Sequence, residues 1–443
     1  MLDIKFVREN PDVVKEAIRN KGGKLDLDQL LAVDERRRHV IQELEAKRAK
    51  QNAGSKGGPK VPTEIEELKK LKEEIKILEE EIGHVQAEFD ELMSRVPNIP
   101  SEDTSIGKDE NDNKVLREVG KRRNFSAEGG SASGGDFKPK EHWELGEELG
   151  VIDTVTAGKI SGARFAYLKG ALGIMQFALI QFALSVFTDE SALKKIIKKA
   201  GLTVQPTVFI PVIPPVFIKP EVMQKMARLE PREERYHIPS DDLYLIGSAE
   251  HTLGPLHMNE TLEEKRLPIR YIGYSTAFRR EAGTYGKDTK GILRVHQFDK
   301  LEMESFCLPE DSVQEQNLFV AIQEYLMQAL GVPYRVVQIC TGDMGGPDAR
   351  QIDIECWMPG QNRYRETHTA DLMTDYQARR LNTKVKRAGG KTEFVHMNDA
   401  TAIAIGRTII AIMENYQTKK GTIVVPKVLR RWMMGIKEIT RHI

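Results

Sequence analysis

The residues best able to do chemistry lie between Gly273 and Phe306, where arginines stand close to carboxylates. Arginine binds carboxylate and phosphate groups through two parallel hydrogen bonds, and a carboxylate accepts hydrogen bonds from ammonium or hydroxyl groups. Such a set on rigid strands predicts a site for a charged substrate. Its members are Arg279, Glu281, Arg294, His296, Asp299, Lys300, Glu302 and Glu304.

Two runs of β-strand composition, 271–278 and 292–306, must position these side chains. The loop between them is rich in Gly, Thr and Lys, which is typical of a long antiparallel hairpin. An alternative is that the charged residues form only a ladder of ion pairs across a solvated face. The charge pattern alone leaves both interpretations open.

A second cluster follows at 353–369, where a predicted strand, a Gly-Gln-Asn turn and a second polar run carry Asp353, Glu355, Glu366 and His368. No pair among them has the spacing of a zinc site on a helix, so we do not expect zinc. A third run, 398–407, predicts a strand with small residues that leads into a helix with an arginine at its start. As a bare pattern, this run is more typical of a core helix than of a site.

Length and composition restrict the class of protein. At 443 residues the chain exceeds what one core usually supports, so we expect two domains. The 66 basic and 66 acidic residues cancel, so any basic surface must be local. Three cysteines without metal-ligand spacing indicate reduced thiols, and the first residues lack a secretory signal, which together predict a cytoplasmic protein.

The apolar run 171–187 is short for a membrane span and contains Gln176 and Gln181. We expect a helix in a core or a subunit interface, and no membrane. The run 208–215 after it predicts a strand that ends at two prolines, because proline cannot donate to a sheet.

The N-terminal part predicts an antiparallel two-helix hairpin. A turn at 52–62 separates two periodic segments, and we place the tip near 54–58. Apolar residues of the second segment recur at spacings of three and four, the heptad pattern of a coiled coil. They are Leu68, Leu71, Ile75, Leu78, Ile82, Val85, Phe89 and Leu92.

Charge is distributed unevenly along this hairpin, with Lys and Arg on the first helix and tip and Glu on the second helix. Either the two helices pair with each other through flanking heptad positions, or the basic edge binds nucleic-acid phosphates in a salt-dependent way. The basic candidates are Arg37, Lys47, Arg48, Lys50, Lys56 and Lys60.

The sequence from Phe278 to Glu281, with Arg294 to Glu302 after the loop, closely resembles motif 2 of class II aminoacyl-tRNA synthetases in its seryl-tRNA synthetase form. The pair 171–187 and 208–215 resembles motif 1 of that class, and 398–407 resembles motif 3. The resemblance implies an α+β fold, in which an N-terminal antiparallel two-helix coiled-coil arm precedes a catalytic domain with an antiparallel sheet flanked by helices. It divides the chain into a helical domain at 1–118, a Gly/Ser-rich linker at 119–139 and a class II synthetase catalytic domain at 140–443.

The same resemblance assigns roles to residues, with Arg279 and Arg407 as the catalytic pair. Glu366 and Thr369 would hold Mg²⁺, and the arm residues above would bind tRNA. The ATP-binding residues would be Arg279, Arg280, Glu281, Val295, Phe298, Glu366, Thr367, His368, Thr369 and Arg407. The serine-binding residues would be Ser248, Ala249, Glu250, Arg279, Glu302 and Thr401.

The chain departs from the family pattern at two places. Ser248 stands where the family has threonine, with Gly247 in place of proline, so the hydroxyl is retained. The family's Ser-Cys-Ser-Asn is replaced by the residues at 369–372, Thr-Ala-Asp-Leu. The resemblance therefore assigns no contacts to residues 370–372.

The implied activity is ATP-dependent attachment of L-serine to tRNA(Ser) through a seryl-adenylate, by a homodimer that uses ATP and Mg²⁺. Whether tRNA(Sec) is also charged stays open. One alternative is a paralogue that activates an amino acid and charges a carrier protein, but such proteins lack a full arm. The other is a non-catalytic coiled-coil adaptor, against which the intact Arg279, Glu281, Glu302 and Arg407 argue.

Overall fold

The computed structural model describes residues 1–55, 61–123, 125, 137–282, 286 and 288–441. Contacts divide the chain into two compact units, Met1–Ile99 and Pro100–Ile443. The division falls earlier than the expected residue 118, because strand Lys114–Val119 already pairs with strand Tyr334–Gln338 of the second unit. Residues 124 and 126–136 of the expected linker lie outside the described residues.

The described residues of the first unit form four helices, of which the last two make the predicted hairpin. Ion pairs Arg36–Glu81 and Arg48–Glu79, both at 2.7 Å, join the long helices. The partner number falls as the first number rises, so the two helices run antiparallel. The helices are α1 Ile4–Glu9, α2 Pro11–Asn20, α3 Leu27–Ser55 and α4 Pro62–Ser94. The predicted tip at 54–58 falls mostly outside the described residues.

The seam between α3 and α4 follows the heptad pattern near the base of the hairpin. Burial of this stripe supplies most of the stability of such a helix pair. Proline at the first position of α4 fits a helix start, since its missing N–H would have no partner there. The buried seam residues are Leu30, Val33, Val40, Leu44, Ile75, Leu78, Val85, Phe89 and Leu92.

The second unit contains nine α-helices and eighteen strands among its described residues. The helices are α5 His142–Leu149, α6 Thr154–Ser161, α7 Ala171–Phe187, α8 Glu190–Ala200, α9 Pro220–Lys225, α10 Glu250–Leu253, α11 Ser312–Leu330, α12 Tyr376–Leu381 and α13 Ile405–Tyr416. The strands are β1 Lys114–Val119, β2 Ile152–Asp153, β3 Tyr167–Leu168, β4 Ile210–Val212, β5 Phe217–Ile218, β6 His237–Ile238, β7 Leu243–Leu245, β8 Thr261–Glu263, β9 Ile269–Phe278, β10 Gln297–Cys307, β11 Tyr334–Gln338, β12 Arg350–Met358, β13 Arg363–Leu372, β14 Lys384–Lys386, β15 Thr392–Phe394, β16 His396–Ala404, β17 Ile423–Val424 and β18 Glu438–Ile439.

An eight-stranded sheet in the order β1-β11-β12-β13-β16-β10-β9-β4 organises this unit. All its pairs are antiparallel except β4 with β9. Pro211 lies in β4, at the edge of the sheet, where a residue without an N–H is tolerated. The predicted α+β class with an antiparallel sheet flanked by helices is confirmed.

Helix α11 packs against the sheet and joins its strands through two buried glutamines. The Gln316 amide donates to the carbonyl oxygens of Arg350 and Ala370, at 2.9 and 2.8 Å. The Gln323 amide donates to those of Thr369 and Thr401, at 2.9 and 2.8 Å. Each amide therefore ties two neighbouring strands to one helix.

A buried ion pair anchors the start of α11 to β9. Arg270 is fully buried and donates from Nε and Nη2 to the two carboxylate oxygens of Glu315, at 2.8 and 2.5 Å. Its Nη1 donates to the carbonyl oxygens of Gln205 and Thr207. These bonds hold the segment that leads into β4 against the sheet.

Helix α7 covers the predicted apolar run, and most of its side chains are buried in the large core of this unit. In the part of the chain that the structure describes, no single helix meets the length and hydropathy of a membrane span. Helices α7 and α8 meet this length and hydropathy only when they are counted together, and the pair is bent by 76°.

Candidate active site

The register of three neighbouring strands builds the floor of the site. Glu302 of β10 pairs with Thr401 of β16, and Ala400 of β16 pairs with Ala370 of β13. Ala370 and Ala400 belong to the hydrophobic core, so their neighbours in sequence point to the opposite face of the sheet. Thr369, Thr401 and Glu302 therefore share one face, although they come from distant parts of the chain.

A β-bulge brings the two proposed metal ligands to that same face. Residues three apart on a regular strand point to opposite faces. In the pairing of β12 with β13, Ile354 faces His368 and Glu355 faces Glu366, so Thr367 is an extra residue. The extra residue places Glu366 and Thr369 on one side, and both line the cavity described next.

A cavity of about 280 Å³ lies over this face of the sheet. It brings together residues of motifs 2 and 3 with β13 and with α10. The lining residues expected from the sequence are Glu250, Arg279, Glu281, Val295, Phe298, Glu366, Thr367, Thr369, Thr401 and Arg407. Arg294, Asp299 and Lys300 of the predicted charged set also line it, together with Arg228, Asp348, Asp371 and Asp399.

Two arginines reach the cavity from different elements. Arg279 follows the end of β9, where its Nε donates to the Gly247 carbonyl oxygen at 3.1 Å and its guanidinium lies 5.4 Å from the Phe298 ring centroid. Arg407 lies in the first turn of α13, and its Nη1 lies 2.9 Å from Glu366 Oε1. Both can bind the oxygens of a polyanion.

One end of the cavity combines an apolar wall with a charged network. Val295 and Phe298 line it, and they suit the face of a planar ring. Glu281 accepts from Arg294 at 3.2 Å, and Arg294 also lies 3.3 Å from Asp288. Glu281 has a φ of 52°, a left-handed conformation that is uncommon for residues other than glycine and is held here by the hairpin.

The other end is acidic and centres on Glu250 and Glu302. Burial raises the pKa of Glu250, but Arg228 at 3.2 Å and other cations outweigh burial and lower this pKa to about 2. Glu302 is fully buried; Ser248 and Thr401 donate to its Oε1 at 3.1 and 3.2 Å.

Glu302 also pairs with Lys300 from its own strand. Burial raises the pKa of Glu302, and Lys300 opposes this shift. Among the described residues its Oε2 is buried and has no hydrogen-bond partner, and Glu302 itself does not line the cavity.

A neutral histidine shapes the loop before α10. The backbone N–H of Gly247 donates to Nδ1 of His251 at 3.2 Å, and His251 is buried. Burial lowers the pKa of His251 well below 6.5, and Glu250 opposes the shift only in part. The neutral ring keeps the acceptor that Gly247 needs, which fixes the position of Ser248.

Several residues predicted to bind substrates do not line the cavity with their side chains. Arg280 is exposed, and its guanidinium lies 5.6 Å from the Tyr236 ring centroid. His368 is buried beside Thr367, and burial lowers its pKa to about 3. Ser248, Ala249 and Glu302 are fully buried and do not line the cavity. The Ser248 hydroxyl lies 3.2 Å from Glu250 Oε2, which does line it, and 3.1 Å from Glu302 Oε1.

The sequence interpretation missed two residues that position the site. Arg228 lies 3.2 Å from both Glu250 and Asp399. Gln323 holds the backbone of Thr369 and Thr401. Neither residue carried a sequence signal, whereas Lys300, which pairs with Glu302, belonged to the predicted set.

The donor set fits a magnesium ion better than zinc. Glu366 and Thr369 offer a carboxylate and a hydroxyl, and Mg²⁺ typically takes one or two protein oxygens together with phosphates and water. The described residues contain no group of three or more His, Cys, Asp or Glu side chains that could hold a metal ion.

Three of the four described arm residues that are expected to bind tRNA are paired within the arm. Arg37 contacts Asp34 at 2.9 Å and lies 4.2 Å from the Phe89 ring centroid. Lys47 lies 2.8 Å from Glu74, and Arg48 pairs with Glu79 as described above. Lys50 is exposed, while Lys56 and Lys60 lie outside the described residues. Mutual pairing of the helices, one of the two interpretations, is therefore present.

The sheet, the bulge and the two arginines together define the catalytic core of a class II aminoacyl-tRNA synthetase. The family model for the class II core domain of the G, H, P, S and T synthetases matches residues 234–416, and the model for the seryl-tRNA synthetase N-terminal domain matches residues 1–100. The chain belongs to the seryl-tRNA synthetase family, because curated relatives of that family match it over nearly its whole length.

Among these relatives, the serine–tRNA ligase of Thermodesulfovibrio yellowstonii is 39% identical over 98% of this chain and 99% of its own. The crystal structure of seryl-tRNA synthetase from Pyrococcus horikoshii complexed with ATP has a TM-score of 0.86 and 39% identity, with all of both chains covered. The cytoplasmic serine–tRNA ligase from Naegleria fowleri in complex with AMP has a TM-score of 0.82 and 33% identity over 100% and 99% of the two chains.

Replacing His251 by glutamine should flatten the pH dependence of stability. Only the unfolded chain binds a proton at this position between the depressed folded pKa and 6.5, so wild-type stability falls as pH is lowered through this range. From about pH 7 to about pH 5.5, wild type should lose about 1 kcal/mol more unfolding free energy than His251→Gln. Urea denaturation measures the difference.

The glutamine side chain can still accept from the Gly247 N–H, so the loop should persist in this variant. His237→Gln, at an exposed position of the same unit, is the control and should retain the wild-type pH dependence. Equal pH dependence in wild type and His251→Gln would contradict a neutral buried histidine.

Proposed function

We propose that this protein attaches L-serine to tRNA(Ser) in two steps, with ATP consumed in the first. The observation that carries the proposal is the cavity itself, which has Arg279 and Arg407 for a triphosphate, an apolar wall for a base, and Glu250 for a small amino acid. The buried Glu302 is linked to Glu250 through the Ser248 hydroxyl. The relatives named above match the arm as well as the core, which does not favour a carrier-protein ligase or a non-catalytic adaptor.

In the first step the serine carboxylate attacks the α-phosphorus of ATP, and pyrophosphate leaves. Arg279 lies between the two reactants and stabilises the charge that grows on the α-phosphate. Glu281 accepts a hydrogen bond from the amino group of adenine, and the adenine ring lies against Val295 and Phe298. In the second step the terminal ribose hydroxyl of tRNA attacks the adenylate carbonyl, and AMP leaves.

No covalent enzyme intermediate is required, so catalysis comes from alignment of the reactants and from charge stabilisation. When ATP binds, Arg407 exchanges its contact with Glu366 for a contact with the γ-phosphate. Mg²⁺, held by Glu366 and Thr369, would neutralise the leaving pyrophosphate. Gln323 keeps Thr369 and Thr401 at a constant separation while ATP and serine bind.

Serine is selected by its ammonium and hydroxyl groups. Glu250 accepts from the α-ammonium group, and its low pKa keeps it ionised at neutral pH. Glu302 accepts the serine hydroxyl on its remaining oxygen, Oε2. Alanine would leave this buried acceptor unpaired, and sites of that kind discriminate by about 10⁴ to 10⁵.

The variant Glu302→Ala should lose the preference for serine over alanine while it retains ATP. We expect the ratio of kcat/KM values for the two amino acids to fall by about 100-fold or more, because the acceptor for the hydroxyl is gone. ATP–pyrophosphate exchange measures both amino acids, and the KM for ATP should stay within about threefold. Glu263→Ala, an exposed carboxylate, is the control. Unchanged serine exchange in Glu302→Ala would disprove this pocket.

The arm recognises tRNA by its backbone. Exposed ion pairs such as Arg48–Glu79 contribute little to stability, so a tRNA phosphate can replace the glutamate at small cost. Double-stranded RNA hides most base edges, which favours recognition of shape and phosphates. Release of counterions from tRNA makes the contact salt-dependent.

Removal of residues 29–93, with a short linker in their place, should abolish charging of tRNA(Ser) but spare serine-dependent pyrophosphate exchange.

In the full chain, Arg48→Glu should weaken tRNA binding and reduce its salt dependence by about one ion, because one phosphate contact is lost. Lys76→Glu, on the other helix, is the control. If removal of residues 29–93 abolished both tRNA charging and pyrophosphate exchange, the arm would have a structural role instead of a role in tRNA binding. The same assay with tRNA(Sec) tests that second substrate.

The protein acts in the cytoplasm as a homodimer built on the motif 1 surface. Three large apolar side chains near that surface are exposed in the single chain: Phe177 at 64%, Ile210 at 50% and Ile213 at 86%. Exposed apolar patches of this kind mark interaction sites. A twofold axis beside the motif 1 elements would cover these side chains in both copies.

In sedimentation at micromolar concentration, wild type should be a dimer and Ile213→Asp a monomer, because the aspartate would carry charge into the interface. Ile160→Asp, at a position that is 67% exposed, is the control and should remain dimeric. A monomeric wild type would disprove the homodimer.

A further inference from the structure

A buried hydrogen-bond network centres on Glu414 of α13, about two helical turns after the cavity residue Arg407. Glu414 is fully buried. Its Oε1 accepts from the backbone N–H of His142 at 3.2 Å and from the side-chain amide of Gln361 at 3.0 Å. Its Oε2 accepts from the backbone N–H of Gly360 at 2.9 Å. One carboxylate therefore joins α13 to the start of α5 and to the turn between β12 and β13.

The imidazole of His142 extends this network to the hairpin that lines the cavity. His142 is buried, and its Nε2 accepts from the backbone N–H of Ile292 at 3.1 Å. Because a backbone N–H can only donate, the ring proton lies on Nδ1. Oε1 of Glu414 lies 3.5 Å from Nδ1 and favours that tautomer. Glu414 therefore orients the ring, and the ring holds one peptide group of the hairpin.

The place of this peptide group connects the network to the nucleotide end of the cavity. Ile292 and the three residues after it all line the cavity, and the last of them, Val295, belongs to the apolar wall. Ile292 precedes β10, which begins at Gln297, so the ladder of the sheet does not hold it. A buried backbone N–H needs an acceptor, and here a side chain from another element supplies it.

The residue before Ile292 leaves room for the ring. Gly291 has a φ of 71°, a left-handed conformation that glycine adopts at little cost. A Cβ atom at this position would overlap with Nε2 of His142. The hairpin therefore has the one residue type that allows both the turn and the close approach of the imidazole.

The network reaches the same hairpin at a second point. Oε1 of Gln361 accepts from Nε of Arg365 at 2.9 Å, and Arg365 forms an ion pair with Asp288. Asp288 in turn lies 3.3 Å from Arg294, which contacts Glu281 at 3.2 Å. The part of the hairpin that faces the base is thus supported both through its backbone and through its charged side chains.

We propose that His142, oriented by Glu414, is a positioning residue for ATP, because its ring holds the Ile292 peptide where the wall for adenine is already formed. The inference rests on the proposed function, in which that wall receives adenine. Neither His142 nor Glu414 lines the cavity, so both act through the hairpin and not by contact with a substrate. A wall held in place spares ATP the cost of ordering it, which raises the affinity for ATP and not that for serine.

The matched variants His142→Gln and His142→Asn test the contact. The glutamine amide lies as many bonds from Cα as Nε2 does, so it can still accept from the Ile292 N–H, whereas the asparagine amide reaches only as far as Nδ1. Isothermal titration calorimetry of the full-length protein with ATP and Mg²⁺ measures the effect. We expect the Kd for ATP to rise about 10-fold in His142→Asn, through loss of a buried hydrogen bond, and to stay within about threefold of wild type in His142→Gln.

Pyrophosphate exchange gives a second measurement. The KM for ATP should rise in His142→Asn, while the KM for serine should change by less than about threefold. Glu414→Gln leaves one donor of the network without an acceptor, so its Kd and KM for ATP should shift in the same direction. Glu147→Gln, at an exposed position of α5, is the control and should bind ATP as wild type does. Melting temperatures verify folding, and if either His142→Asn or Glu414→Gln fails to fold, the other retains the test.

Weaker ATP binding in His142→Asn that is restored in His142→Gln would support the inference. Wild-type affinity for ATP in His142→Asn would overturn it, and so would an equal loss in the two variants, since the acceptor at Nε2 would then not be the cause. A parallel rise in the KM values for ATP and serine would also overturn it, because the ring would then serve the fold as a whole. A wild type that binds ATP without serine-dependent exchange would overturn the proposed function, and calorimetry would still decide the inference.

Discussion

The pairing register of β13, β16 and β10 is the constraint on which the site depends. It places Thr369, Thr401 and Glu302 on one face of the sheet and Ala370 with Ala400 on the other. A shift by one residue would exchange the two faces, so polar groups would enter the core and methyl groups would line the cavity. The hydrophobic core and the active site therefore enforce the same register.

Helix α11 maintains this register from the core side. Its Gln316 and Gln323 amides each bridge two strands, and the buried pair of Glu315 with Arg270 sets the start of the helix. An unpaired partner in any of these contacts would cost the full desolvation of a buried polar group. The contacts that hold the site in place therefore also favour a single register of the strands.

Electrostatics divides the cavity into two ends with different tasks. Arg279 and Arg407 make the nucleotide end cationic, whereas Glu250, whose pKa is lowered by Arg228, makes the amino-acid end acidic. A substrate with a negative and a positive group is oriented by this gradient before it makes close contacts. Arg228 limits the acidity, since it pairs with Glu250 and Asp399 together.

The sequence by itself determined the coiled-coil hairpin through its heptads, and through the resemblance of its motifs to a known family it also implied the α+β class and most of the cavity lining. Heptads and motifs are local patterns, so they can be recognised without a structure. Only the tertiary structure decided which side chains meet. The bulge at Thr367, the inward turn of His368, and the contact of Arg228 with Asp399 depend on pairing between residues far apart in the chain. Local patterns contain no information about such pairing, since strand register and burial are properties of the assembled sheet.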